Sequence, residues 1–252
     1  MAGIPVPDLE VVGELDLPSA SHMALDEVLL DAVGAGRRPP LVRFWGWTEP
    51  TLVLGSNQAV ANEVDLEAAE RLRFTVVRRL SGGGTMLAEP GRTITWSLAI
   101  PVAAVAGMSF VESFAHLDRW AVETLRTIGV EAGYRPINDI VSPAGKIAGA
   151  AQARRRGALI HHVTMAYSMD PATLLDLVRI GRPSISERGV RSAEKKVTPL
   201  DGLTGASRAE VVAALAGSSG ARPGRLDAGE LEAAASLAAS KYSRREWIFR
   251  LP

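Results

Sequence analysis

The chain has 252 residues, 47% of them hydrophobic, which is long enough to enclose a large core in one domain. Its 28 basic residues balance 28 acidic ones, so no overall field favours nucleic acid or an anionic membrane as a partner. The chain contains no cysteine, which excludes disulfides, thiolate metal sites and a cysteine nucleophile. It has neither the roughly 18 uninterrupted apolar residues of a membrane span nor a signal peptide, so a cytoplasmic location is expected.

The first quarter of the sequence predicts a helix, a pair of strands and a second, shorter helix. Residues 19–33 carry apolar side chains at helical spacing and are followed by glycines, so they predict a helix. Two β-like runs at 41–47 and 51–56 are separated by a Thr-Glu-Pro turn and predict an antiparallel pair. Asn62 is a candidate cap for a helix that runs to Arg73.

A glycine-rich loop lies between strand-like segments at 75–80 and 93–101. Three consecutive glycines, residues 82–84, disfavour a regular strand and predict backbone that turns or comes close to a ligand. The two arginines before them carry guanidinium groups that bind phosphate or carboxylate at two points. Three glycines alone are more typical of a plain hairpin, so this loop does not by itself establish a binding site.

The middle of the chain predicts one long helix and three strands. The helix spans 110–128 and begins at a capping box formed by Ser109 and Glu112. Three strands are then expected in a meander, at 137–142, 145–153 and 158–168. The Arg154-Arg155-Arg156-Gly157 turn is typical of a solvated hairpin tip.

The last third of the chain, from about 171 to 252, is rich in alanine and predicts mostly helices. No internal repeat and no linker divides the sequence. Strand pairs mixed with helices predict an α+β fold with a mostly antiparallel sheet. We therefore expect a single domain that spans residues 1–252.

Several motifs occur in an order that is typical of one family. The principal ones are RRLSGGG at 78–84, the Asn138-Asp139 pair, GKIAGA at 145–150 and HHVT at 161–164. Further similarities include MALDEVLL at 23–30, KKVTPL at 195–200 and KYSRREW at 241–247. Together these motifs resemble the lipoate–protein ligase A family, within the superfamily of biotin and lipoate protein ligases and octanoyltransferases.

The resemblance implies a fold and an activity. The fold is the catalytic-domain fold of biotin and lipoate ligases, a mixed, mostly antiparallel sheet of the class II synthetase type, flanked by helices. The activity is ATP-dependent: lipoate is activated as lipoyl-AMP in the presence of Mg²⁺ and then transferred to a lysine. The implied acceptors are apo-lipoyl carrier domains, such as the E2 domain of 2-oxoacid dehydrogenases or the H-type protein of glycine cleavage.

Acyl activation requires positive groups, because a carboxylate and an α-phosphate must be held within bonding reach. By resemblance, Lys146 contacts both anions, and the small residues around it leave its side chain room to reach a cleft. Arg79 is assigned to the lipoate end or the phosphate side. Ser81 and the glycines Gly82, Gly83 and Gly84 are expected to form the pocket wall.

Four more residues complete the expected site. Asn138 and Asp139 carry oxygens that Mg²⁺ or adenosine binds, and Asp139 is the expected Mg²⁺ contact, although an Asx turn explains the pair equally well. Gly149 is assigned to cofactor binding through its motif. His162 is expected to line the acyl channel, and since it lacks the companions of a zinc site, no structural metal is expected.

Three departures keep other interpretations open. The family's loop continues as AVxHD, whereas this chain has Ala88 for the histidine and Glu89 for the aspartate. Little sequence follows Trp247, so a short form is expected, in which a separate polypeptide supplies the accessory domain or none is needed. Related octanoyltransferases use a cysteine thioester, which this chain lacks. The alternatives are a cysteine-free octanoyl or lipoyl transferase, or a noncatalytic protein that binds a lipoyl carrier or an adenylate.

Overall fold

The structure is a computed structural model that describes residues 3–180, 183–185, 189–193 and 196–251. Its helices are α1 (Ser19–Gly34), α2 (Val60–Glu63), α3 (Leu66–Arg71), α4 (Phe110–Thr127), α5 (Pro171–Leu177), α6 (Arg208–Ser218), α7 (Ala228–Leu237) and α8 (Arg245–Ile248). None of these described helices is both long and apolar enough to cross a membrane. The KKVTPL motif begins at Lys195, which lies outside the described residues.

Eleven described strands form two sheets. The strands are β1 (Glu10–Leu17), β2 (Leu41–Trp47), β3 (Thr51–Leu54), β4 (Thr75–Arg78), β5 (Met86–Ala88), β6 (Thr93–Pro101), β7 (Gly133–Arg135), β8 (Asp139–Ser142), β9 (Gly145–Arg155), β10 (Ala158–Ala166) and β11 (Arg222–Pro223). The large sheet has the order β11-β1-β2-β6-β10-β9-β8-β7, and the small one the order β4-β3-β5. Most neighbours are antiparallel, which confirms the predicted α+β class with a mostly antiparallel sheet.

Helices cover the large sheet and enclose its core. The predicted helix α4 begins at the predicted capping box, in which the Ser109 hydroxyl accepts from the Glu112 amide and the Glu112 carboxylate accepts from the Ser109 amide. Its apolar face packs on one side of the sheet, where Leu117 and Trp120 are buried against Trp96. Helix α1 belongs to a second buried cluster, which also contains apolar residues of β2 and of the C-terminal helices.

Two predictions about the first quarter of the chain were wrong. Strands β2 and β3 do not pair with each other: β2 lies between β1 and β6 in the large sheet, and β3 is the central strand of the small sheet. All seven residues of β2 are buried, so the strand requires neighbours on both edges and cover on both faces. The short turn after Trp47 therefore carries the chain from one sheet to the other.

The helix predicted from Asn62 to Arg73 is two helices. It is interrupted at Val64, which forms an isolated bridge with Val178. The cap of α3 is Asp65, whose Oδ1 accepts from the Ala68 amide at 3.0 Å. Asn62 is buried, and its Oδ1 accepts from the amide of Ile185 instead.

The arginine-rich turn after β9 is not a simple solvated tip. Arg155 and Arg156 form ion pairs with Asp31 of α1 at 3.3 and 2.6 Å. The Arg154 guanidinium lies over the Phe110 ring, 4.3 Å from its centroid. The end of α1 packs beneath this hairpin, so partners that are distant in sequence neutralise part of its charge.

A buried ion network ties α1 to the C-terminal helices and leads to a testable prediction. The Glu27 carboxylate accepts from Arg155 at 2.8 Å, from Lys241 at 2.5 Å and from the buried hydroxyl of Tyr242. Burial alone would raise the Glu27 pKa, but hydrogen bonds from Lys241 and Tyr242 outweigh it and the pKa lies below its usual value. Because the folded-state pKa is depressed, the ionised carboxylate stabilises the fold above its unfolded pKa of about 4.3, and this contribution is lost as pH falls through the folded pKa.

We therefore expect Glu27→Gln to lower the free energy of unfolding by about 1–3 kcal/mol at neutral pH, since the partners of Glu27 lose a charged acceptor. The difference from wild type should shrink as the pH falls below about 4.3, so urea titrations at pH 7 and pH 3 measure it. Glu246→Gln is the control, because that side chain is 81% exposed and its nearest ion-pair distance is 3.8 Å. A Glu27→Gln deficit that is equal at both pH values would contradict the assignment.

Candidate active site

A cavity of about 470 Å³ lies between the large sheet and the small sheet. It falls in the size range of small-molecule sites in proteins. Strands β9 and β10, the glycine loop and the segment 189–193 contribute to its lining, together with single residues of β2, β3 and β6 and two residues of β5. The apolar residues of this lining include Met23, Trp45, Val53, Met86, Leu87, Ala166, Met169, Leu174 and Ile180. Such walls suit an acyl chain, which needs polar partners only at its carboxylate end.

Lys146 supplies a positive charge to this cavity. It is the second residue of β9, and its Nζ lies 2.9 Å from Oδ1 of Asp139 on the neighbouring strand β8. The Asp139 side chain is 3% exposed, whereas the Lys146 side chain is 25% exposed. The Lys146 backbone also pairs with the segment after residue 195, through hydrogen bonds of 2.8 Å with Lys196 and Thr198. The ammonium group is therefore held on its strand while it still faces the cavity.

Gly149 provides the space in which the lysine side chain lies. A Cβ atom at this position would be 2.5 Å from Lys146 Nζ and 2.9 Å from Lys146 Cε. Gly149 sits opposite Asp139 in the sheet, so the glycine, the carboxylate and the ammonium form one compact group. The predicted residues of two separate motifs thus meet at one point of the cavity.

Asn138 lines the same part of the cavity, beside Lys146. Its side-chain Nδ2 donates to the Ala150 carbonyl at 2.5 Å, and its backbone carbonyl accepts from the Ala150 amide at 2.9 Å. These bonds fasten the start of β8 to β9. The amide of Asn138 is therefore fixed against β9, which leaves its predicted contact with a ligand untested.

The glycine loop is organised from within by Arg79. This side chain is 5% exposed, and its Nη2 donates to the carbonyls of Gly82 and Gly84 at 2.6 and 2.8 Å. Its Nη1 donates to the Val53 carbonyl at 3.1 Å and its Nε to Ser81 Oγ at 3.0 Å. Burial, and then the charge of Arg78, lower the Arg79 pKa to about 10, so the group stays charged at neutral pH.

Arg79 lines the cavity, and a role in ligand binding stays a prediction. Its guanidinium already donates four hydrogen bonds to the loop and to β3, so its first effect is to shape the cavity wall. Gly83 adopts φ +88°, a conformation that only glycine takes readily, and Gly82, Gly83 and Gly84 all reach the lining. Three of the four residues predicted for the pocket wall thus line the cavity, whereas the fourth, Ser81, lies behind it.

Arg78 points away from the cavity. Its Nη1 donates to the carbonyls of Gly55 and Gln58 at 2.8 and 2.7 Å, and its Nε to that of Ile248 at 2.8 Å. Neighbouring residues of an extended strand face opposite sides. The two arginines therefore have different partners: Arg79 binds the carbonyls of the glycine loop, and Arg78 binds the C-terminal helix α8.

The two histidines of β10 also face opposite sides of the sheet. His161 Nε2 lies 2.7 Å from Oδ1 of Asp118 on α4, and His162 Nδ1 lies 3.0 Å from Oδ2 of Asp26 on α1. His162 lines the cavity as predicted, and its Nε2 lies 2.6 Å from Ser81 Oγ. Burial lowers the pKa of His162 against the opposing effect of Asp26, so the imidazole is neutral at neutral pH.

Sequence reasoning missed the segment 189–193, which lies over the glycine loop. Ser192 Oγ donates to the buried Glu63 carboxylate at 2.5 Å and accepts from the Thr85 amide at 2.9 Å. Arg191 of the same segment also lines the cavity, and its guanidinium donates to Ser184 Oγ and to the Arg179 carbonyl. These residues belong to none of the recognised motifs, so no sequence signal pointed to them.

No preformed metal site is evident in the described parts of the chain. There, no three His, Cys, Asp or Glu side chains converge on a common point. Asp139 is the predicted Mg²⁺ contact, and its carboxylate is paired with Lys146. Mg²⁺ commonly binds through one or two carboxylates together with substrate phosphates, so Asp139 fits as one such ligand. The contact itself stays a prediction.

The mixed sheet and the apolar cavity with its lysine agree with the expected class, an acyl-transferring enzyme of the lipoate ligase and octanoyltransferase superfamily. The sequence model of the lipoyl protein ligase A/B catalytic domain matches residues 18–218. The chain therefore belongs to the lipoyl protein ligase A/B family.

Two relatives that are similar in sequence are named octanoyltransferases. Octanoyltransferase LipM of Kyrpidia tusciae is 32% identical to this chain, with 92% of this chain and 95% of the relative covered. Octanoyltransferase LipM of Geobacillus kaustophilus is 31% identical, with the same shares of each chain covered. Sequence similarity thus relates the chain to octanoyltransferases.

Solved structures instead relate the fold to ligases. A lipoate–protein ligase A bound with ATP superposes with a TM-score of 0.80 at 25% identity and covers all of both chains. The bi-partite lipoate protein ligase of Thermoplasma acidophilum gives a TM-score of 0.80 at 24% identity, over 100% of this chain and 98% of the other. The expected catalytic-domain fold is confirmed.

Proposed function

We propose that this protein is an ATP-dependent lipoate–protein ligase. The supporting observation is the position of Lys146 beside Asp139, at a cavity whose other walls are mostly apolar. An apolar acyl chain fits such walls. At the carboxylate end of the acyl chain, the carboxylate and the α-phosphate of ATP both require a nearby cation. The similar ligase A structure bound with ATP agrees with a nucleotide as the second substrate.

The proposed reaction has two steps. In the first, an oxygen of the lipoate carboxylate attacks the α-phosphorus of ATP, the bond to the β-phosphate oxygen breaks, and pyrophosphate leaves. In the second, a lysine amine of the carrier domain attacks the acyl carbon, AMP leaves, and the amine gives up a proton. Lys146 stabilises the negative charge that accumulates between the carboxylate and the phosphate in the first step, because its ammonium is already held at the cavity.

The glycine loop and the neutral His162 form the rest of the proposed binding surface. Backbone amides of the loop and the small side chains of β9 let a nucleotide or acyl group come close to the main chain. Mg²⁺ would accompany the ATP phosphates, with Asp139 as its protein ligand. The acceptor would be an apo-lipoyl domain, as in the Thermoplasma system that pairs a ligase with an E2 lipoyl domain.

A second candidate is octanoyl transfer, which the similarity to LipM favours. Octanoyltransferases of this superfamily carry the acyl group on a cysteine, and this chain has none. Octanoyl transfer here would require the carrier lysine to attack the donor thioester directly, with release of the donor thiol. The absence of the nucleophile is the reason that ATP-dependent ligation is preferred.

One experiment separates these candidates. An apo-lipoyl domain is incubated with the protein, Mg²⁺ and lipoate, with and without ATP, and in a parallel reaction with octanoyl-loaded acyl carrier protein; intact mass then reports the adduct. A lipoyl adduct that requires ATP supports the ligase. An octanoyl adduct formed without ATP overturns it in favour of the transferase.

Pyrophosphate release is measured in the same reactions. Release without an adduct indicates that a separate accessory polypeptide is required for transfer, whereas neither release nor adduct indicates a noncatalytic binding protein.

A further inference from the structure

A continuous chain of buried hydrogen bonds connects helix α1 to the glycine loop. It begins at Asp26, whose Oδ2 lies 3.0 Å from Nδ1 of His162. It continues from His162 Nε2 to Ser81 Oγ at 2.6 Å, and from there to Arg79 Nε at 3.0 Å. The Arg79 guanidinium then holds the loop carbonyls, so four side chains link a helix to the cavity wall.

With Asp26 ionised and His162 neutral, each hydrogen bond in this series has one direction. Arg79 has no acceptor, so its Nε–H donates to Ser81 Oγ. Asp26 is ionised and accepts, so the proton of the neutral His162 lies on Nδ1. His162 Nε2 is then an acceptor, and the Ser81 hydroxyl donates to it. Each group has one role, and reversing one bond would leave a neighbouring donor without an acceptor.

Asp26 is held in its ionised form by Arg43. The Arg43 Nη2 donates to Asp26 Oδ1 at 2.7 Å, and the hydroxyl of Ser97 donates to the same oxygen at 2.8 Å. Burial alone would raise the Asp26 pKa, but the charge of Arg43, and then His162, outweigh it and the pKa lies below its usual value. His22 holds Arg43 in turn, since Arg43 Nη2 donates to its carbonyl at 3.0 Å.

Ser81, His162 and Asp26 have the relative geometry of a hydrolase triad, but the serine is not placed to react. Ser81 is 1% exposed and is not among the cavity-lining residues, whereas His162 and Gly82 on either side of it are. A nucleophile must reach its substrate. The three groups therefore orient the loop and do not form a covalent intermediate.

We propose that Asp26 is a positioning residue for the cavity: it keeps the proton of His162 on Nδ1, which makes Nε2 the acceptor of Ser81 and so holds the glycine loop in its binding conformation. The MALDEVLL motif contains Asp26 but does not indicate this role. The effect on adenylation rests on the proposed function, whereas the tautomer of His162 does not.

The tautomer is measured first, by ¹⁵N NMR of the imidazole nitrogens in the full chain. In the wild type, His162 is expected to carry its proton on Nδ1, whereas His161 carries its proton on Nε2, which faces Asp118. In Asp26→Asn, the amide is expected to donate to His162 Nδ1 and move the proton to Nε2, with His161 unchanged. A wild-type His162 that is charged, or that is protonated on Nε2, overturns the proposal without any variant being needed.

Lipoate affinity, measured by calorimetry without ATP, then tests the connection to the loop. Asp26→Asn and Ser81→Ala should each weaken binding by about tenfold, and the double variant should be within about twofold of Ser81→Ala, because both act on one link. Asp31→Asn is the matched control, since it lies on the same helix and pairs with the distant hairpin. Effects that multiply in the double variant would overturn the proposal.

The same variants are assayed for adenylate formation. If the wild type binds lipoate but forms no adenylate, the proposed function fails while the tautomer and the binding results still decide the role of Asp26. If adenylate forms, Asp26→Asn and Ser81→Ala should each lower the rate of its formation. The double variant should lower that rate no further than Ser81→Ala does, whereas independent damage would multiply the two losses.

Discussion

Lys146→Ala is expected to lower the rate of acyl-adenylate formation by a factor of about a hundred to a thousand, which is typical of removing one group that stabilises transition-state charge. The physical reason is the position of Nζ, which lies at the cavity and 2.9 Å from Asp139. No other lysine lines the cavity among the described residues. The measurement is pyrophosphate release with lipoate and ATP, at saturating concentrations of both.

The alanine variant also leaves the Asp139 carboxylate buried without its ion-pair partner, so some loss of stability is expected. Lys146→Arg separates the two effects, because a guanidinium keeps the charge next to Asp139 but is planar and larger than an ammonium. It should retain the wild-type melting temperature and still show most of the rate loss. Lys196→Ala is the control, since Lys196 is an exposed neighbour of Lys146 outside the cavity. Normal activity in both Lys146 variants would show that this lysine does not serve the reaction.

Gly149→Ala is expected to lower the adenylation rate by about a hundredfold while the protein stays folded. The added Cβ would lie 2.5 Å from Lys146 Nζ, so the ammonium must move by an ångström or more. A displacement of this size in a reacting group commonly reduces a rate by about two orders of magnitude. The atoms that must move are the end of a flexible side chain, so the sheet around Gly149 is not expected to shift.

The expected signature is therefore loss of rate without loss of stability, which thermal melts and single-turnover adenylation measure together. Gly133→Ala is the matched control, because Gly133 lies in the same sheet and a Cβ there meets nothing within 4 Å. A Gly149→Ala variant with wild-type turnover would show that the position of Lys146 Nζ seen here is not the one used in catalysis. A variant that melts well below wild type would show that the strand, and not the lysine, absorbs the change.

The two sets of relatives define the functional question that these variants address. Sequence similarity relates the chain to octanoyltransferases, whereas the chain has no cysteine to serve as the nucleophile that the family resemblance implies for them. The cavity is lined by a lysine and by the glycine loop, which are the groups the proposed adenylate would contact. A strong effect of Lys146→Ala on an ATP-dependent reaction would therefore resolve the conflict in favour of ligation.

Much of the candidate site could be predicted from sequence, because its residues lie in compact motifs. Lys146, Gly149 and His162 line the cavity, as do Asn138 and the glycine loop. Asp139 and Ser81 lie just behind it, where they contact Lys146 and His162. Apart from Ser81 and the glycine loop, these residues lie in or beside the strands β8, β9 and β10, whose meander was recognisable from local patterns alone. Their catalytic and binding roles stay predictions.

Other parts of the site depend on contacts between distant segments, and sequence patterns do not report such contacts. Asp26 was not among the predicted site residues, yet it lies 3.0 Å from His162, which follows 136 residues later. Arg79 was assigned to a ligand, whereas its donors reach the loop carbonyls and Val53. A donor's partner is decided by which acceptors are nearby and buried, and this is a property of the packed chain.

The sequence by itself determined the fold class, the helix α4 with its capping box, the β8 to β10 meander and the family to which the chain belongs. These features depend on local periodicity, on turn residues and on motif order, all of which are short-range. Only the tertiary structure decided that β2 and β3 enter different sheets, that the two histidines of β10 bind carboxylates on opposite faces, and that Asp26 connects to the glycine loop. Each of these outcomes follows from the burial of polar groups, which must find partners wherever the completed fold provides them.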